Sequence, residues 1–316
     1  MMMTPKVAVI TGPTATGKTG LGIALARALN GEIVGADSMQ IYRYMDIGTA
    51  KPTKAEMDGI AHHMVDCVSP FESYSVSRYV ADASACIDDI LARGRLPVIV
   101  GGTGLYIDSL ISGRDFAPEG VSLGLRSEMS EEFYACGCEN MLLKLAACDP
   151  ESAARLHPND RKRIIRALEI YRATGMTKSE YDRATRAVPP RYHAGIIALT
   201  FTDRQDLYDR IDRRVDVMLR QGLEQEVRSL LDMGLGPQHT AMQAIGYKEM
   251  AAALTGGCSV SQAAEDIKRA SRRYAKRQLS YLARNRDIHW IQWEKSPDFA
   301  SGLLNSTNFL TASGVI

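Results

Sequence analysis

Two hydrophobic rhythms alternate along the first hundred residues. Lys6–Thr11 is a short run of small and β-branched apolar residues ending in a glycine turn, which predicts a buried strand. Thr19–Leu29 is rich in Leu and Ala and is stopped by Asn30-Gly31, as a helix would be. Glu32–Ala36 reads as a second strand ending on Asp37. Tyr74–Arg93 has helical spacing, with Val76, Tyr79, Val80, Ala83 and Ile87 on one side, and Gly94 breaks it. Leu96–Val100 is a third strand, closed by Gly101-Gly102-Thr103-Gly104. Strands alternating with helices in this way imply an α/β fold, a parallel sheet with helices on both faces.

Beyond Arg114 the rhythm changes. Residues 114–124 read as a loop, and Arg126 to about Tyr181 reads as helix throughout. Breaks fall at Cys136-Gly137, Asp149-Pro150, His157-Pro158 and Thr174-Gly175. Pro189-Pro190 closes this stretch, and Gly195–Leu199 returns to a strand. The expected organisation is a catalytic core of residues 1–121 and 193–316 with an all-helical lobe, 122–192, inserted into it. Four further helices are expected at Arg204–Gln221, Leu223–Met233, Tyr247–Leu254 and Ser261–Asn285, then an edge strand at Asp287–Trp293. Ser296–Ile316 reads as weakly ordered.

Composition removes several classes. In a chain of 316 residues, 45% hydrophobic and 24% charged, a full core forms without disulfides or structural metals. No apolar run approaches the roughly 18 residues of a membrane span. Nothing apolar precedes the first strand, so no cleaved signal is expected. The six cysteines (67, 86, 136, 138, 148, 258) form no Cys-x-x-Cys pair, which implies reduced thiols in a cytoplasmic protein. A monomer that meets no membrane is expected. The net charge of +1 hides segregation: Ile267–Arg286 holds eight basic residues and no acidic one, and Arg155–Arg191 holds ten against four. Such faces suit a polyanion, although any single run can be a solvated helix face.

The strongest local motif is Gly12-Pro13-Thr14-Ala15-Thr16-Gly17-Lys18-Thr19. It follows a predicted strand and opens a predicted helix, the context a phosphate-binding loop (P-loop) requires. Its glycines let backbone amides face an anion and the helix N-terminus adds positive potential. Lys18 would touch phosphate oxygens and Thr19 would ligate Mg2+. The motif specifies a phosphate chain, not a nucleotide. The Leu96–Val100 strand lacks the acid that ordinary P-loop kinases place there. Asp37, at the tip of Glu32–Ala36, is open to three readings: an acid supporting the metal, a general base, or a turn cap.

Further motifs carry a resemblance. Asp37-Ser38-Met39-Gln40-Ile41-Tyr42, Met45-Asp-Ile-Gly-Thr-Ala-Lys-Pro52 and Gly101-Gly-Thr-Gly-Leu-Tyr106 follow the loop in order. His157-Pro-Asn-Asp160 with Arg163 and Arg166-Ala-Leu-Glu169, Arg210-Ile-Asp-Arg-Arg214, Gln243-Ala-Ile-Gly-Tyr-Lys-Glu249 and Lys276-Arg-Gln278 continue it. Together they resemble the bacterial tRNA dimethylallyltransferases over about residues 6–290. The resemblance implies transfer of a dimethylallyl group from dimethylallyl diphosphate to the exocyclic amine of the adenosine 3′ of the anticodon in tRNA. It implies that Gly12–Thr19 holds the diphosphate with Mg2+, that Asp37 is the base, and that Lys18, Thr103 and Arg214 serve the leaving group. It places Asp37, Ser38, Met39, Gln40 and Thr103 around the target base. It assigns tRNA contacts to Arg126, to Lys162, Arg163, Ile164, Ile165 and Arg166, to Gln243, Ala244, Ile245, Gly246, Tyr247 and Lys248, and to Lys276 and Arg277.

Read without the resemblance, Thr103 is a helix cap and Arg214 a solvated side chain on a charged helix. The chain departs from the family after Gln278, where Leu279-Ser280-Tyr281-Leu282-Ala283 replaces the usual Thr-Trp-x-Arg. Two rival functions share the loop: a small-molecule or nucleotide kinase that binds ATP, and a P-loop RNA-binding protein without catalysis. A cytokinin-type enzyme acting on a free adenine nucleotide leaves the helical lobe without a purpose.

Overall fold

The computed structural model describes residues 4–113 and 122–316, with all their side chains except those of 122, 123, 126, 127 and 186. The chain divides into two compact units, Met1–Ile111 with Arg191–Ile316, and Ser112–Pro190. The second unit thus ends at 190 rather than the expected 192, because Arg191 and Tyr192 belong to the core. The Arg191 N–H donates to the Ile111 carbonyl at 3.0 Å, and Tyr192 is 1% exposed in the main apolar cluster. It begins at 112 rather than 122.

The first unit is built on six strands: β1 (Lys6–Thr11), β2 (Gly31–Gly35), β3 (His62–His63), β4 (Leu96–Val100), β5 (His193–Phe201) and β6 (His289–Trp293). They lie in the order β3-β2-β4-β1-β5-β6, every neighbouring pair parallel. The helices follow in chain order: α1 (Lys18–Ala28), α2 (Lys54–Met57), α3 (Val76–Ala92) and α4 (Gly104–Ser112), then α5 (Ser122–Cys148), α6 (Pro150–Ala153), α7 (Arg161–Thr174) and α8 (Lys178–Arg186). After β5 come α9 (Arg204–Arg220), α10 (Leu223–Asp232), α11 (Tyr247–Leu254), α12 (Val260–Leu282) and, after β6, α13 (Phe299–Ala312).

Alternation within the strands makes the sheet two-faced. Val7 and Val9 join one core with Tyr79, Ile87 and Ile90 of α3, whereas Ala8 and Ile10 join another with Leu21 and Leu25 of α1. Both faces are therefore covered, as a parallel sheet requires. The segment expected to be weakly ordered is instead α13, capped by Asp298, which accepts from the Ser301 N–H at 3.1 Å. Leu310 is fully buried, and a Cβ on Gly302 would lie 2.6 Å from the Trp293 ring.

The second unit, α5 to α8, has its own core of Met129, Phe133, Met141, Leu145, Ile164, Ile165 and Leu168. Helical geometry breaks inside α5 at Gly137 (φ 81°). The buried Asp149 carboxylate joins α6 to α8, accepting backbone N–H bonds from Ser152 and Ser179, both at 3.0 Å. Burial opposes its charge, but the bonds from Ser152 and Ser179 outweigh it and hold the carboxyl at about 2.

Candidate active site at the carboxyl edge of the sheet

In an open parallel sheet, ligands bind outside the carboxyl ends of the strands. The loops leaving β2, β4 and β1, three adjacent strands, carry Asp37, Thr103 and the glycine-rich loop. The tips touch: the Ala36 N–H donates to the Val100 carbonyl (2.8 Å), the Gly101 N–H to Ile10 (3.2 Å) and the Thr103 N–H to Ala36 (3.1 Å). Gly101 permits this approach, since a Cβ there would lie 2.1 Å from the Ala36 oxygen.

The loop after β1 holds left-handed backbone at Gly12 (φ 138°), Ala15 (φ 67°) and Gly17 (φ 88°). An alanine in that region stores strain that the surroundings must fix. The Thr16 hydroxyl donates to the Pro13 carbonyl at 2.8 Å and the Lys18 ammonium to the same carbonyl at 2.6 Å. Arg210, from α9, donates to the Ala15 carbonyl at 3.0 Å. Burial first, then the positive charge of Arg214, lowers the Lys18 ammonium to about 7, against the opposing pull of Asp37. Arg214 is likewise pushed down, by burial, while Asp37 favours its charge. Lys18, Arg214 and Asp37 thus share one electrostatic site, in which two half-buried cations feel one carboxylate. Arg214 is not the solvated side chain that its helix alone suggests.

Asp37 folds into an Asx turn, its Oδ1 accepting from the Met39 N–H at 2.9 Å and the Gln40 N–H at 3.3 Å. The Thr103 hydroxyl accepts from the Ser38 N–H at 3.1 Å, so it links the β4 and β2 tips rather than capping α4. Tyr274 reaches Thr103 from α12, and burial, reinforced by the Asp37 charge, raises its phenol to about 12. The Gln40 side-chain amide donates to the Thr49 and Ala50 carbonyls at 3.0 and 3.1 Å, bracing the following turn.

Several supports were not anticipated from sequence. Gln278, 7% exposed, accepts from the Thr14 N–H at 3.0 Å and donates to the Gly102 carbonyl at 2.8 Å, bridging two site loops. Its motif was visible, but not its role. Glu226 accepts three N–H bonds, from Asp46, Ile47 and Gly48 at 2.8–3.1 Å, and the Tyr247 hydroxyl at 2.6 Å. Gly48 must be glycine because a Cβ would lie 2.4 Å from the Tyr247 ring.

The expected RNA contacts divide by burial. Lys162, Arg163, Gln243, Lys248, Lys276 and Arg277 are exposed. Arg166 is half-buried and pairs with Glu169 at 3.2 Å. Ile164 and Ile165 place their side chains in the core of the helical unit, 0% and 6% exposed. Ala244 and Tyr247 are buried in the main core, and Gly246 is buried too. These positions support a surface; their side chains do not form it. Ile245 and Lys248 line an open cleft of about 450 Å³ with Arg269, Arg273 and Arg277. The Arg126 side chain lies outside the described residues. At the family departure, Tyr281 turns inward, donating to Asp108 at 2.6 Å with its ring over Gly104.

The glycine loop between β1 and α1, on a parallel sheet with the strand tips of β2 and β4 beside it, defines a P-loop α/β protein with an inserted helical unit. The chain matches the IPP transferase family model over residues 40–286 and the isopentenyl transferase model over 5–68. It is 48% identical to the tRNA dimethylallyltransferase of Desulforudis audaxviator, covering 93% of this chain and 94% of that one. It is 44% identical to that of Acetivibrio thermocellus, covering 98% of both. Among solved structures it resembles the tRNA isopentenylpyrophosphate transferase of Bacillus halodurans (41% identity, TM-score 0.73, 98% and 96% covered). It also resembles a eukaryotic dimethylallyltransferase acting on tRNA (30% identity, TM-score 0.83, 98% and 80% covered). The chain belongs to the tRNA dimethylallyltransferase family.

Proposed function

We propose that this protein transfers a dimethylallyl group from dimethylallyl diphosphate to the exocyclic amine of the adenosine 3′ of the anticodon in tRNA. The observation that carries this reading is one carboxylate, Asp37, at the tip of β2 hydrogen-bonded to the tip of β4, with two half-buried cations, Lys18 and Arg214, in its field beside the phosphate loop. A base and a leaving-group site are what a transfer from a diphosphate to an amine requires. The family's shared activity supplies the substrates.

In this mechanism the adenine amine attacks the allylic carbon, the carbon–oxygen bond to diphosphate breaks, and Asp37 takes the amine proton. Lys18, Arg214 and the loop N–H groups hold the departing charge. Thr103, at the neighbouring strand tip, is oriented by Ser38 and Tyr274. The Thr19 hydroxyl is half-buried with no hydrogen-bond partner among the described residues. No cluster of three His, Cys, Asp or Glu surrounds it, again among the described residues. A lone hydroxyl beside a diphosphate fits Mg2+, which takes few protein ligands and the rest from phosphate and water. When bound, Mg2+ would add positive charge to the leaving group. Lys162, Arg163, Lys248, Lys276 and Arg277 would grip the tRNA backbone, positioning the target base without reading sequence. We place the protein, as a monomer, in the cytoplasm with its tRNA substrate; none of the helices among the described residues is long and apolar enough to cross a membrane.

The test is incubation with carbon-labelled dimethylallyl diphosphate and two tRNA transcripts differing only at the adenosine 3′ of the anticodon. Label is expected in the adenosine transcript and absent from the guanosine one. Label in both, or in neither, rejects the assignment.

A further inference from the structure

The polypeptide that follows the family match ends against the phosphate loop. Trp293 closes β6, is 4% exposed, and its indole Nε1–H donates to the Thr16 carbonyl at 2.9 Å. Six residues on, Phe299 opens α13 with its ring beside α1: a Cβ on Gly17 would lie 3.1 Å from it, and one on Gly20 2.9 Å. Pro297 adds a third contact, 3.3 Å from the same point on Gly17. The IPP transferase match stops at residue 286, and the transfer mechanism above uses none of these side chains.

Thr16 is therefore pinned twice. Its hydroxyl is held by the Pro13 carbonyl at 2.8 Å and its own carbonyl by Trp293. No peptide bond in the described chain is cis. In a planar trans peptide the carbonyl and the next N–H point in opposite directions. Anchoring the Thr16 carbonyl on the indole thus turns the Gly17 N–H away from Trp293. Gly17 precedes α1 in a left-handed conformation (φ 88°), and its N–H has no hydrogen-bond partner among the described residues. It is one of the donors that a helix N-terminus leaves free for an anion. Glycine at this position lets the peptide rotate cheaply. A rotated peptide would present the Thr16 oxygen to the anion in place of a donor.

We propose that Trp293 is a positioning residue for donor binding: its indole N–H locks the Thr16–Gly17 peptide so that the Gly17 N–H faces the diphosphate. This rests on the reading of the loop as a diphosphate site. Phe299 and Pro297 pack beside Gly17, and Thr16 is fully buried, so the indole bond is made away from water.

The experiment compares wild type, Trp293→Phe and Leu310→Ala by titration with inorganic diphosphate and by steady-state transfer to tRNA. Trp293→Phe keeps an aromatic ring and removes the donor. Leu310→Ala opens a cavity in α13 without touching the loop, and so reports what general destabilisation does. Loss of one buried hydrogen bond predicts about tenfold weaker diphosphate binding and a similar rise in donor KM for Trp293→Phe, with the KM for tRNA unchanged. Leu310→Ala is expected to melt earlier yet bind diphosphate as wild type does. Equal diphosphate affinity in Trp293→Phe and wild type overturns the proposal; so does an equal loss in both variants. If wild type itself binds no diphosphate, the functional reading falls instead. A spectrum of 15N-labelled wild type reads the same peptide without any variant. Diphosphate should move the Gly17 amide resonance strongly downfield, and a stationary Gly17 amide refutes the assignment.

Discussion

Replacing Asp37 by asparagine separates the three roles open to this carboxylate. Its Oδ1 accepts from the Met39 and Gln40 N–H groups, and an asparagine carbonyl keeps both bonds, so the turn survives. The amide nitrogen at the other position cannot accept a proton. A positioned base is worth about 10²–10⁴-fold, so the single-turnover rate should fall by that factor. The substitution also removes a negative charge that acts on both Lys18 and Arg214. One like charge fewer beside the diphosphate is worth roughly 1 kcal/mol at short range near water, so diphosphate binding should tighten about fivefold. The assay is single-turnover transfer with labelled donor, paired with titration by diphosphate at fixed magnesium. Slow chemistry with tighter diphosphate identifies the base. Weaker diphosphate and a raised magnesium requirement would identify a metal-supporting acid, and an unchanged rate would leave only a turn cap; either refutes the reasoning.

Three further outcomes follow from the same geometry. Lys18→Ala should raise the donor KM at least tenfold and slow transfer while leaving tRNA affinity intact, measured by steady-state kinetics and filter binding; a cation lost from the leaving group does no less. Lys162→Gln with Arg163→Gln should reduce the slope of log tRNA affinity against log salt by about one unit per lost phosphate contact, and an unchanged slope would make these two exposed cations a solvated face. Glu32, 2% exposed at the opposite edge of the sheet, is held at about 2 chiefly by its bond to Arg93, with His63 assisting. Its folded pKa lies below its unfolded one, so its stabilisation is complete above about pH 4.5 and disappears as pH falls towards 2. Glu32→Gln should cost about 2 kcal/mol at neutral pH and flatten this acid limb in urea melts.

Local pattern carried the alternating strands and helices of the core, the helical insertion and the phosphate loop, because each is a short stretch with its own period and punctuation. Asp37 and Thr103 were visible as residues just past strand tips, and the parallel order then made them neighbours. Gln278 was not visible, since its partners at Thr14 and Gly102 lie 264 and 176 residues away. The burial of Tyr247 and of Ile164 and Ile165 escaped for a related reason. A motif preserves residue types without saying which side chains face the ligand and which support the backbone that does. The helix at Phe299–Ala312 is hard to read because Ser301, Asn305, Ser306, Thr307 and Asn308 blur its apolar face, while its packing turns on Gly302, where a Cβ would meet Trp293 and Leu21.

The central claim is that the loop after β1 holds the diphosphate of a prenyl donor, not a nucleotide whose phosphate is transferred. A single reaction with carbon-labelled dimethylallyl diphosphate, unlabelled tRNA and γ-labelled ATP, counted in both labels, decides it. The account predicts one dimethylallyl group in tRNA for each diphosphate released, with ATP untouched and its omission without effect. ATP turnover that depends on tRNA, with no carbon label in the RNA, would contradict it.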